Sequence, residues 1–273
     1  MESLWLAEGP YRIVERMEPP LSGNPLLPFA YEELRGRKIG QGDVPEVHIW
    51  RHQKALILGL RDRKLPYATQ AITQLRREGT EVVVRNSGGA AVPLDPGVVN
   101  VTMLVPKSPG RMNIYEDFDR MYRWIAETVA AEGVVDRGEV HGAYCPGDYD
   151  LSIQGLKFCG IAQRRQTRAY AVQAFVNVEG SGSERAKRVI DYYAWAAGYS
   201  GDDHADAPPQ VTVDRTASLA ELIPGLTAER FVERLKQTLT QSMGPPCQLL
   251  QQYDESQESI SMMIGSLTER YDR

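Results

Sequence analysis

The sequence predicts an α/β (α+β) fold, a mixed β-sheet with flanking helices. Three observations lead there. Apolar runs rich in Val, Ile and Leu recur at residues 46–60, 81–84, 98–105 and 171–178, as strands do. Segments 67–78, 115–131 and 227–243 carry apolar residues three and four apart, which places them on one face of a helix. Gly- and Pro-containing breaks such as Gly40-Gln41-Gly42 and Gly244-Pro245-Pro246 separate the two kinds of segment.

Taken in order, residues 1–23 read as irregular, because Pro19, Pro20 and Gly23 interrupt them. A helical pattern follows over 26–37. Residues 46–60 form a strand signal in two parts, VHIWRH and KALILGL, the second apolar enough for a sheet interior. The helix over 67–78 stops at Gly79. The strand at 81–84 runs into Gly88-Gly89, where the backbone can turn sharply or approach a ligand. Val92 is expected to pair with the 98–105 strand across the Asp95-Pro96-Gly97 turn. Asn113 is the expected N-cap of the 115–131 helix, whose aromatic residues, Phe118 included, are expected in the core. Ser218 with Glu221 makes a capping box, and Ser256 caps a terminal helix. With no internal repeat and no clear linker, a single α/β domain is expected over 1–273, its core spanning about 30–245, with a helical C-terminal part at 227–273.

Composition narrows the function classes. The net charge of -5 argues against general nucleic-acid binding. Three cysteines with no zinc spacing predict neither a disulfide framework nor a metal site. No apolar run reaches the ~20 residues of a membrane span, and the first residues lack the pattern of a secretory signal. A reduced, cytoplasmic protein without membrane association is expected. Two other features are weak. Gly180-Ser181-Gly182-Ser183 opens a helix but lacks the remaining phosphate-loop residues, and His204 sits among Asp202, Asp203 and Asp206 in what reads as a solvated acidic loop.

The chemistry concentrates in residues 141–165, HGAYCPGDYDLSIQGLKFCGIAQRR. Pro146-Gly147-Asp148 makes a turn directly after Cys145, and Gln154-Gly155 makes a hairpin turn between two short strands. Such a hairpin would return Lys157 to the loop carrying Cys145. A nearby ammonium favours the thiolate, the reactive form, so the pair suits acyl-thioester chemistry. The same spacing is compatible with a buried structural cysteine and a solvated strand lysine. Arg164, Arg165 and Arg168 form a basic cluster, either solvated or facing an acidic partner.

Two ordered segments carry a family resemblance. RNSGGAAVPLDPGVVN, residues 85–100, resembles the Arg-x-x-Gly-Gly segment of the lipoate–protein and biotin–protein ligase catalytic fold. GLKFCGIAQRR, residues 155–165, resembles that family's Gly-x-Lys-x-x-Gly-x-x-x-Arg strand. AYCPGDYDLSIQGLKFCGIAQRR is most similar to the cysteine-dependent octanoyltransferases of bacterial lipoate assembly. Ala90 and Leu94 stand where the ATP-dependent ligases commonly have Gly and His.

The resemblance implies that Cys145 is the acyl-thioester nucleophile and that Lys157 activates it and helps proton transfer. It implies that Arg85, Asn86, Ser87, Gly88 and Gly89 line the acyl pocket, with Gly160 and Gln163 contributing from the strand; Cys159 has no role and is expected in the core. The implied reaction moves octanoyl from the glycine-cleavage H protein, GcvH, to the lysine of E2 lipoyl domains, with no cofactor. The alternatives are an acyl carrier protein donor, an ATP-dependent lipoate ligase, and a non-catalytic protein that binds lipoyl domains or acyl groups.

Overall fold

The computed structural model describes residues 9–107, 114–198 and 207–272. Its strands are β1 (Arg12–Leu21), β2 (Glu46–His52), β3 (Ala55–Leu58), β4 (Glu81–Val84), β5 (Val92–Leu94), β6 (Val98–Pro106), β7 (Asp136–Arg137), β8 (Leu151–Ile153), β9 (Leu156–Arg165), β10 (Ala169–Asn177) and β11 (Gln248–Leu250). Its helices are α1 (Leu26–Ile39), α2 (Ala68–Arg77), α3 (Ile114–Thr128), α4 (Gly182–Ala197), α5 (Leu219–Leu222), α6 (Ala228–Met243) and α7 (Gln257–Tyr271). Eight strands form one mixed sheet in the order β11-β1-β2-β6-β10-β9-β8-β7, and β4-β3-β5 form a second. The predicted mixed sheet with flanking helices is therefore present. The expected N-cap Asn113 and the acidic loop with Asp202, Asp203, His204 and Asp206 lie outside the described residues.

The large sheet sorts its side chains by alternation. Val47, Ile49, Val101, Met103 and Val172 face one way and pack with Met121, Trp124 and Ile125 of α3 and Phe231 and Leu235 of α6. Trp50 belongs to the other face and packs with Phe29 of α1, with β3, β4 and β5, and with Ala186 and Val189 of α4. The small sheet thus closes over one face of the large one, and the cavity described below lies between them.

Three expectations are corrected. Residues 12–21 are not irregular but form β1, parallel to β2, with Ile13 opposite Val47. Pro19 and Pro20 are tolerated because regular pairing stops at Arg16, before the ring would remove a ladder donor. Val92 does not pair with β6. β5 runs antiparallel to β3, with Val92 opposite Ile57, while β6 pairs with β2 and β10. The Asp95–Gly97 turn carries the chain from one sheet to the other. Phe118 is only half-buried; it stacks on Tyr149 at 4.6 Å and lines the cavity, while Met121 and Ile125 fill the core.

The predicted hairpin is present. Gln154 and Gly155 both take positive φ, 55° and 76°, the backbone of a two-residue turn whose twist matches its strands. β8 and β9 pair across it, with Ser152 opposite Lys157. Arg164 and Arg165 are partly buried and pair with Glu33 and Asp117 respectively, while Arg168 is exposed. Cys159 is fully buried in the core and Cys247 is exposed.

Candidate functional site

A cavity of about 460 Å³ lies between the two sheets, with Cys145 in its wall. Its lining on the large sheet comes from alternating positions on four adjacent strands. These are Gly160 and Ala162 on β9, Gln173 and Phe175 on β10, Asn100 and Thr102 on β6, and Trp50 on β2. Ile57, Val92 and Leu94 of the small sheet and Phe29 of α1 complete it. Phe29 meets Trp50 edge-on, ring centroids 5.7 Å apart. The surface is mostly hydrocarbon, with Asn100, Thr102 and Gln173 among its polar groups and the Arg85 guanidinium beside Cys145.

Two elements bring that cysteine into place. The loop before β8 holds Cys145 at φ 48°, a left-handed conformation rare for a residue with a side chain. From the other side, the Gly88-Gly89 loop after β4 supplies a cation and an N–H. The Arg85 guanidinium approaches the sulfur at 3.4 Å, and the Ala90 backbone N–H donates to it at 3.3 Å. Arg85 is itself anchored by donating to the Gly88 and Ala90 carbonyls at 2.9 and 2.7 Å. Gly89 has φ 100°, and a Cβ there would lie 2.4 Å from the guanidinium and 3.0 Å from the sulfur. Only glycine fits that turn and that approach together.

Lys157 is fully buried beneath the cysteine. Its ammonium donates to the Tyr144 carbonyl at 2.8 Å and to the Cys145 carbonyl at 2.5 Å, and pairs with Asp150 at 2.7 Å. Burial pushes the Asp150 carboxyl up to about 6, against the opposing pull of Lys157. Residues 215–217 flank Lys157 on the strand edge, where Arg215 O accepts from its N–H and Ala217 N donates to its carbonyl. The Tyr144 hydroxyl, also buried, donates to Asn177 at 3.0 Å.

Most of the predicted site residues converge. Cys145, Arg85, Ser87, Gly88, Gly89, Gly160 and Gln163 all line the cavity, and Lys157 lies directly behind it. Gly160 leaves room for Phe175, whose ring would be 2.5 Å from an added Cβ. Gln163 donates to the Ile114 carbonyl at 2.9 Å. The buried Ser87 hydroxyl has no hydrogen-bond partner among the described residues. Asn86 is the exception: its side chain turns from the cavity and donates to Glu33 at 2.7 Å.

Sequence reasoning missed Asp150, Ala90 and a buried chain that props the loop. In that chain Tyr193 accepts from Ala91 N–H and donates to Asp62, which accepts from Gly59 N–H. Burial raises the Asp62 carboxyl above its ordinary range. Asp150 had a signal, because a lysine on an inward-facing strand position needs a counter-charge. The others are tertiary contacts. Among the described residues, no cluster of His, Cys, Asp and Glu could hold a metal and no helix is long and apolar enough to cross a membrane.

Residues 24–240 match the model of the lipoyl protein ligase A/B catalytic domain. The chain belongs to that family. Among relatives of this lipoyl ligase-type domain, the octanoyl-[GcvH]:protein N-octanoyltransferase of Geobacillus kaustophilus is 41% identical over 219 residues, covering 79% of this chain and 76% of the relative. The lipoyl-[GcvH]:protein N-lipoyltransferase of Listeria monocytogenes is 35% identical over 195 residues, 71% and 70% of the two chains. The lipoyl ligase fold recurs in the bipartite lipoate protein ligase of Thermoplasma acidophilum, at TM-score 0.65 and 18% identity, covering 96% of this chain and 92% of that one.

Proposed function

We propose that this chain moves an octanoyl group from the lysine of octanoylated GcvH to the lysine of E2 lipoyl domains, through a thioester on Cys145. The observation that carries the reading is the cysteine sulfur in the wall of an apolar cavity, with an arginine and a backbone N–H on it. The names of the relatives at 34–41% identity support the donor. The acceptor, the cytoplasmic location and a single acyltransferase unit belong to the same proposal.

In the first half-reaction sulfur bonds to the amide carbonyl carbon, the C–N bond breaks, and the thiol proton ends on the departing lysine amine. In the second, the acceptor amine attacks, the C–S bond breaks and the proton returns to sulfur. One amide replaces another, so the exchange is close to thermoneutral and needs no ATP. Expelling an amine requires its protonation, and Lys157 is the acidic group next to the nucleophile. The cavity holds the chain; each buried CH₂ contributes ~0.8 kcal/mol.

The test is intact-protein mass spectrometry after mixing the chain with octanoylated GcvH, without ATP. An octanoyl increment on wild type, absent in Cys145→Ala, is expected. An increment only with octanoyl-acyl carrier protein would replace the donor. Transfer that requires ATP, or that survives in Cys145→Ala, would overturn the thioester route.

A further inference from the structure

We infer that Asp148, at the open end of the cavity, receives the lysine ammonium of the carrier proteins, donor and acceptor alike. The inference rests on the proposed transfer through Cys145 and adds to it the group that recognises the lysine.

The cavity has a closed end and an open end. Trp50 at one end is 2% exposed, whereas Ile114 and Tyr115 at the other are 42% and 68% exposed. The first turn of α3 and the loop that follows Cys145 frame the opening. They are tied together, because Phe118 stacks on Tyr149 at 4.6 Å and the Tyr149 hydroxyl donates to the Tyr115 carbonyl at 3.3 Å. Asp148 lies in that loop, exposed, and belongs to the cavity wall. It follows Cys145 by three positions, at most about 11 Å of chain.

Charge singles out Asp148. Every other charged side chain of the wall faces an opposite charge. Asp150 pairs with Lys157 at 2.7 Å, Arg165 pairs with Asp117 at 2.9 Å, and Arg85 is attracted by Asp62. Asp148 enters no ion pair among the described residues. A carboxylate left unmatched at the entrance of a mostly apolar cavity suits a cation that comes from outside. Both substrates bring one, since a lysine of pKa ~10.4 is an ammonium at neutral pH. Its hydrocarbon stem can lie along the Phe118 and Tyr149 rings while its head reaches the carboxylate.

The acceptor ammonium must shed a proton to solvent before its nitrogen attacks the thioester carbon. The C–S bond then breaks and a second proton moves from nitrogen to sulfur. Asp148 favours the charged lysine, so it acts on arrival and not on bond making. It is a positioning residue. The departing donor lysine takes up a proton from solvent and leaves past the same group.

The experiment separates the arriving cation from the chemistry. In a Cys247→Ser background, Cys145 is octanoylated with p-nitrophenyl octanoate, which needs no carrier, and Cys145→Ala marks acylation elsewhere. Intact-protein mass spectrometry follows discharge of the octanoyl increment by unacylated GcvH, whose lysine is a cation, or by hydroxylamine, which is uncharged at neutral pH. The readout is the ratio of the two rates. At subsaturating GcvH, Asp148→Asn is expected to lower the ratio about fivefold, the upper end for an exposed ion pair, and Asp148→Lys about tenfold or more. Asp148→Glu keeps the charge and is expected to retain most of the ratio. At saturating GcvH, Asp148→Asn is expected to approach wild type, because only arrival is weakened. An unchanged ratio in Asp148→Asn and Asp148→Lys overturns the inference, and so does a loss in Asp148→Glu equal to that in Asp148→Asn. Wild type discharged by hydroxylamine but not by GcvH would overturn the transfer reading itself, and this inference with it.

Discussion

The backbone of Gly59 passes so close under Gly89 that a Cβ at Gly59 would stand 1.9 Å from the Gly89 carbonyl oxygen. Gly59 follows β3, and Gly89 lies in the loop that touches the Cys145 sulfur, so the small sheet fixes the loop at a distance no side chain allows. Gly59→Ala is expected to push the loop outward, destabilise the fold by roughly 1–3 kcal/mol and lower octanoyl transfer well beyond that loss of folded protein. Urea denaturation beside a transfer assay checks it. Wild-type stability together with wild-type activity would refute it.

Trp50 stands three strands from Gly160, a span of about 14 Å at roughly 4.8 Å per strand. With Phe29 packed edge-on against it, this ring closes the end of the cavity away from β9. Trp50→Leu is expected to lengthen the space and shift preference towards a ten-carbon chain. Two further buried CH₂ groups contribute about 1.6 kcal/mol, about tenfold in selectivity. Competition between octanoylated and decanoylated GcvH measures this, and an unaltered ratio counts against Trp50 as the end wall.

Asp150 gives the fold a pH dependence whose sign follows from its pKa, raised from 3.8 to about 6. A raised carboxyl binds its proton more tightly in the folded state. Its stabilising contribution is complete below about 3.8 and is lost as pH rises through about 6. Asp150→Asn removes that titration. Wild-type stability relative to Asp150→Asn should therefore rise by up to about 3 kcal/mol as pH falls from about 7 to about 4. A difference that stays constant across the window would exclude the effect.

Tyr193 links Asp62 to the Ala91 N–H beneath the loop. Tyr193→Phe removes both hydrogen bonds and leaves buried polar groups unpaired, at a cost of about 1–3 kcal/mol. Thermal unfolding reads the loss, and slowed Cys145 alkylation is expected beside it because Ala90 precedes Ala91. Unchanged melting would show that Tyr193 does not support the loop.

The sequence made local features legible and left distant ones hidden. The Gln154-Gly155 turn and the pairing of β8 with β9 follow from residues next to one another, and so did the return of Lys157 to the Cys145 loop. The partner of β5 did not, because the Asp95–Gly97 turn is equally compatible with a hairpin and with a change of sheet. Pro19 and Pro20 hid β1, although they fall in the interruption of the ladder between Arg16 and Leu21, where no regular pairing is disturbed. The site residues named by resemblance converge except Asn86. The contact between Arg85 and Cys145, 60 residues apart, had no local signature at all. Asp150 was visible as a residue but not as a partner, since only the buried position of Lys157 makes a counter-charge necessary.

β3 and β2 are neighbours in the chain, yet they lie in sheets that share no strand. One sheet brings the guanidinium, and the other brings the lysine behind the sulfur. The reactive atom therefore works like a vernier mark between two scales. A slip of one sheet past the other by a fraction of an ångström leaves each layer intact and still changes the distance from guanidinium to sulfur.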